Sequence, residues 1–97
     1  MENTKEFKTT LRKEKEKKEL ITHLNRIEGQ INGIKKMITE NRYCDDVLIQ
    51  LSAVNSSVKS LANKLIEKHL NGCVVREIEN GNTEIIADVI NLIKRFQ

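Results

Sequence analysis

Cys44, His69 and Cys73 are the side chains in this sequence best suited to hold a soft metal ion. His69 and Cys73 stand four residues apart, so a helix puts them on one face, one turn from each other. Cys44 lies twenty-five residues before His69, and the stretch between reads as continuous helix. At 1.5 Å per residue, that separates the two by roughly 37 Å along the axis. One chain therefore cannot close the set. A second copy running antiparallel can, by laying its Cys44 beside His69 and Cys73 of the first. Two thiolates and one imidazole form a soft, three-donor set, which suits Cu(I). The plain alternative is two buried thiols and a histidine at a helix end, since buried cysteine is ordinary. Catalysis is not expected. A Cys–His pair can make a nucleophile, but this pair sits on a bundle helix with no glycine-rich loop and no obvious substrate cleft.

The elements that must carry these residues are helical. The 97 residues include no Pro, only four Gly and 3% aromatics, so the core is aliphatic and thin unless copies associate. A first helix is expected from about Glu16 to Glu40. Its Leu20, Leu24, Ile27, Ile31, Ile34 and Ile38 alternate four and three apart, the seam of a bundle helix. Gly29 and Gly33 lie beside that seam and suggest close approach of another backbone. Asn41-Arg42-Tyr43 reads as a break.

A second helix is expected from about Cys44 to Asn71, with Asp45 and Asp46 in its first turn, where they suit the dipole. Val47, Leu51, Val54, Val58, Leu61 and Leu65 form its seam. Cys44 extends that stripe at one end, and His69 and Cys73 at the other. Asn71-Gly72 is a plausible stop. After the turn cluster Glu79-Asn80-Gly81-Asn82, Thr83 could cap a third helix from about Glu84 to Phe96, with Ile85, Val89, Leu92, Ile93 and Phe96 on its apolar face. The expected fold is all-α: a three-helix protomer that pairs into an antiparallel four-helix bundle, with the third helices outside. Residues 1–15 read as a flexible basic arm, and residues 16–97 as a single helical domain.

The net charge of +3 is unevenly spread. Residues 1–42 hold eleven Lys and Arg against seven Asp and Glu, while residues 43–97 hold six against seven. A basic N-terminal half suggests a polyanion partner, most simply nucleic acid; a solvated helix surface is the competing reading. No run of eighteen apolar residues occurs, so no membrane span is expected. No apolar stretch follows the N-terminal basic residues, so no export signal is expected. A cytoplasmic location and reduced thiols follow from that expectation.

His23-Leu24-Asn25-Arg26-Ile27-Glu28-Gly29-Gln30, with Gly33-Ile34, resembles the first-helix signature of the CsoR/RcnR family of bacterial metal-sensing repressors. Tyr43-Cys44-Asp45-Asp46-Val47, with Gln50-Leu51-Ser52-Ala53-Val54, resembles the start of that family's second helix. His69-Leu70, then Cys73, resembles its metal-binding end. The likeness runs from about residue 17 to 95.

The resemblance implies a dimer of dimers, a homotetramer that binds operator DNA without metal and releases it when metal binds. Cys44, His69 and Cys73 match the Cu(I)-sensing branch. The nickel/cobalt branch has His in place of Cys73 and a further N-terminal His, which residues 1–22 lack. The formaldehyde-responsive branch lacks the cysteine at position 73. A persulfide-responsive repressor using Cys44 and Cys73 is the alternative within the family, and His69 argues against it. A helical interaction module without metal is the alternative outside it.

Tyr43 matches a residue that the family's copper sensors place near the metal. An acid on the third helix is implied as well, Asp88 or else Glu84. Such a carboxylate would accept the free N–H of His69 and fix its tautomer. DNA contact is expected from Arg12, Lys13, Lys15, Lys17, Lys18, His23 and Arg26. His23 is expected as a surface histidine where relatives often carry a fixed positive charge. No helix-turn-helix is visible, so recognition should rely on phosphate contacts and DNA shape.

Overall fold

Two left-handed residues, Asn41 (φ 57°) and Gly81 (φ 90°), decide where this chain turns. The computed structural model describes residues 9–97, so residues 1–8 of the expected arm lie outside the described residues. Helix α1 spans Glu14–Thr39, two residues earlier at its start than the sequence suggests, with Glu14 and Glu16 in its first turn and Lys36 in its last. Those charges complement the helix dipole. Its end is a Schellman motif. The Asn41 N–H donates to the Ile38 carbonyl at 3.1 Å, and the Arg42 N–H to that of Met37 at 2.9 Å.

Helix α2 spans Cys44–His69. Asn71-Gly72 does not stop it. The chain passes through a π-helical turn, Leu70–Val74, and continues as α3, Val75–Glu79. A Schellman stop requires φ above zero, and among the described residues the only such glycine is Gly81. There the second motif closes: Gly81 N–H donates to Ile78 O at 3.0 Å and Asn82 N–H to Glu77 O at 2.8 Å. Cys44 to Glu79 is therefore one unbroken rod. Helix α4, Ile85–Lys94, follows Glu84 as N-cap, and Thr83 makes no side-chain cap. Among the described residues there is no strand.

Helices α1 and α2 form an antiparallel hairpin. Ile27 and Ile34 of α1 and Leu61 and Ala62 of α2 are buried, with Leu20, Gln30 and Met37 half-buried on the same α1 face. The full four-three seam is not covered within one protomer. Leu24, Ile31 and Ile38, seven apart, stay exposed, Ile38 by 61%. Leu51 and Val58 of α2, also seven apart, stay exposed too. A hairpin covers only one side of each helix, so alternate seam members remain open. The protomer is accordingly long, 55 × 29 × 28 Å with a radius of gyration of 17.7 Å. A compact chain of this length would measure about 12–13 Å. Gly29 and Gly33 have no such close neighbour in the protomer: a Cβ at either would meet nothing within 4 Å.

Candidate metal centre and nucleic-acid face

The rod carries the three candidate ligands at its two ends. Cys44 is the first residue of α2 and is exposed. Tyr43 precedes it as an extended N-cap, exposed and without a side-chain cap bond. At the far end His69 closes α2, and Cys73 lies inside the π-helical turn; both are half-buried. The two thiols are free.

His69 and Cys73 line one open cavity of about 640 Å³. Arg12, Lys13 and Lys15, from the end of the arm and the start of α1, contribute to the same lining. Arg12 is held by Glu16 at 2.6 Å. Arg76, one turn beyond Cys73, points a guanidinium Nη2 at its sulfur from 3.7 Å. Sequence reading missed Arg76, although its spacing of three from Cys73 was a usable signal.

Among the described residues, no three His, Cys, Asp or Glu side chains of one protomer come together. The donor set nevertheless fits a soft monovalent ion: two free thiols and an imidazole, two of the three already on one cavity. Cys44 is exposed, so it is available to a neighbouring copy. Asp88 lies in the first turn of α4 and Glu84 at its N-cap, both exposed.

Of the residues expected at DNA, Lys13, Lys15, Lys17, Lys18 and Arg26 are exposed, with Lys17 3.3 Å from Glu14. His23 is not on the surface. It is only 6% exposed, and its Nε2 donates to the Ser57 carbonyl of α2 at 3.1 Å. The reason is positional: His23 falls on the Leu20–Ile27–Ile34 face that meets α2, not on the outward face. Its Nδ1 is buried and has no partner. Lys64 and Lys68, which the sequence reading passed over in the less basic half, stand across from the start of α1 and share a second cavity with it.

A family model for metal-sensitive transcriptional repressors matches residues 16–95. The copper-sensing transcriptional repressor CsoR of Bacillus subtilis is 41% identical over 98 residues, covering 99% of this chain and 97% of that protein. The copper-sensing transcriptional repressor RicR of Mycobacterium tuberculosis is 50% identical over 58 residues, 60% of each chain. Among solved structures, the copper-sensing repressor CsoR with Cu(I) from Geobacillus thermodenitrificans superposes with a TM-score of 0.83 at 36% identity. That match covers 91% of this chain and 93% of the other. The nickel-responsive transcriptional regulator InrS gives 0.70 at 34% identity, covering 94% and 100%.

Proposed function

The chain belongs to the metal-sensitive transcriptional repressors, and from that membership we propose that it represses transcription by binding operator DNA and lets go when Cu(I) is bound. It is a regulator and not an enzyme. The observation that carries the copper assignment is the pairing of His69 with Cys73 on one cavity, with Cys44 exposed at the other end of the same rod. Cys44 of one protomer, with His69 and Cys73 of its partner, would hold the ion. The open stripes Leu24–Ile31–Ile38 and Leu51–Val58 are the surface that brings a second copy into register. A dimer of such hairpins, doubled into a tetramer, supplies several basic faces to one duplex. A protein that binds operator DNA works in the cytoplasm.

The lining of the cavity suggests how the metal is read. Arg12, Lys13 and Lys15 are expected at DNA, yet they share walls with His69 and Cys73. Ordering His69 and Cys73 around an ion therefore constrains the same arm that must reach phosphate. The imidazole has a second nitrogen, and Asp88 or Glu84 of a neighbouring element could accept from it and fix the ring. Tyr43, beside Cys44, stands at the other edge of the site. By linkage, DNA weakens copper binding by the factor by which copper weakens DNA binding.

The test is an anaerobic Cu(I) titration of the protein bound to a duplex it selects from a random-sequence library. Release should be complete near one equivalent per chain. Release by a persulfide donor but not by Cu(I) would overturn the copper assignment.

A further inference from the structure

The start of α1 and the end of α2 enclose a second open cavity of about 750 Å³. Its lining includes Lys15, Lys18, Lys64 and Lys68, with Glu19 as its one carboxylate and the His23 ring as part of its wall. Among the described residues, none of these four lysines has a carboxylate within 4.0 Å; the ion pairs there engage Arg12, Lys17 and Lys36 instead. Four lysines lining one concavity with a single acid make a site of positive potential. His23 adds a second, independent observation. The residue is 6% exposed, its Nε2 is committed to Ser57, and its Nδ1 is buried without a partner. A buried polar atom left unsatisfied costs free energy, and such atoms mark places where water or a ligand completes the bonding.

We propose that this lysine-lined groove is a phosphate-binding site for the DNA backbone, with Lys64 and Lys68 of α2 as contacts alongside Lys15 and Lys18 of α1. The inference rests on the repressor reading and adds to it a stretch of the rod that the basic-arm reading leaves out. A backbone phosphate in the groove accepts from the lysines. Two of the four lysines stand on each helix, so a bound phosphate ties the α1 start to the α2 end. The groove also adjoins the cavity of His69 and Cys73, since Lys15, Glu19 and Lys68 line both. Phosphate binding and metal binding thus act on shared side chains.

The test compares Lys64→Gln/Lys68→Gln with Lys59→Gln/Lys94→Gln, which removes the same charge at exposed positions off the groove. Both variants are checked for native helicity and oligomeric state. Binding to the duplex selected by wild type is then measured over a range of salt. Losing two phosphate contacts should reduce the slope of log K against log salt by about 1.8 and weaken binding roughly tenfold at physiological salt. The control pair should keep nearly the wild-type slope. Equal slopes for the two variants would overturn the groove assignment while leaving the repressor reading intact. Wild type that selects no duplex would overturn both. In a separate arm, sodium pyrophosphate is titrated into the DNA-free protein and the His23 ring resonance is followed. Saturation at micromolar pyrophosphate, together with equal DNA slopes, would reassign the groove to a free phosphorylated ligand and overturn the DNA role.

Discussion

His23 Nε2 lies 3.1 Å from the carbonyl oxygen of Ser57, joining α1 to α2 through a side chain that is otherwise buried with one nitrogen unpartnered. One hydrogen bond contributes about 1 kcal/mol, and an orphaned buried atom costs a similar amount or more. The two effects nearly cancel. His23→Leu, which keeps most of the volume, should therefore change unfolding free energy by less than about 1 kcal/mol. His23→Ala leaves a void and should lose more than about 2 kcal/mol. Denaturant melts at one fixed protein concentration decide this, and equal losses for the two variants would show that the hydrogen bond outweighs the orphan.

The exposed stripe on α1 predicts an assembly defect from a single charge. Ile31 sits midway between Leu24 and Ile38 on the uncovered side of the hairpin. Ile31→Glu should shift the protein to protomers at micromolar concentration, because a carboxylate at a bundle seam must be desolvated. Analytical ultracentrifugation reads the mass directly. An unchanged oligomer would place the interface elsewhere.

Copper sites should be shared between chains. Cys44→Ala and Cys73→Ala chains each lack one proposed ligand. In the mixed dimer one pocket lacks both cysteines and the other keeps all three donors. Mixing should therefore restore about half of the tight Cu(I) sites per heterodimer. Competition with a chromophoric Cu(I) chelator measures it. If verified subunit exchange restores none, the antiparallel arrangement is wrong.

His69 should matter more for DNA release than for holding copper. Thiolates dominate affinity for a soft ion, whereas the imidazole can pass its orientation to a neighbouring carboxylate. His69→Ala should retain fairly tight Cu(I) binding and lose most copper-driven release, while Cys44→Ala loses both. X-ray absorption should show two sulfurs and one nitrogen in wild type and no nitrogen from His69 in the variant. Copper-loaded His69→Ala leaving DNA as readily as wild type would sink this route.

Glycines test the turns and the bundle face separately. At Gly81, φ is 90° and a Cβ would meet nothing within 4 Å, so the whole cost of Gly81→Ala is backbone strain, about 1–2 kcal/mol. Gly29→Ala and Gly33→Ala lie in helix with open space around them. Each should stabilise by about 1 kcal/mol. Thermal melts check all three, and destabilisation at Gly29 or Gly33 would reveal a partner backbone packed there.

The sequence by itself determined the helices, the two turns' neighbourhoods and the family. Absence of Pro, aliphatic spacing of four and three, and local turn residues are short-range properties that need no tertiary context. Cys44, His69 and Cys73 stand out as candidates for the same reason, because spacing along one rod sets which of them can share a face. Tertiary structure decided the rest. Whether Gly72 or Gly81 stops the rod depends on which glycine takes positive φ, and both lie in turn-like dipeptides. The hairpin settled which half of each seam is covered, since a stripe of alternating spacing has two sides and one partner helix covers only one. That same choice buried His23, which the likeness had placed on the surface among the expected DNA contacts. It also set Lys64 and Lys68 opposite Lys15 and Lys18: residues far apart in sequence become one charged groove only after the chain reverses at Asn41.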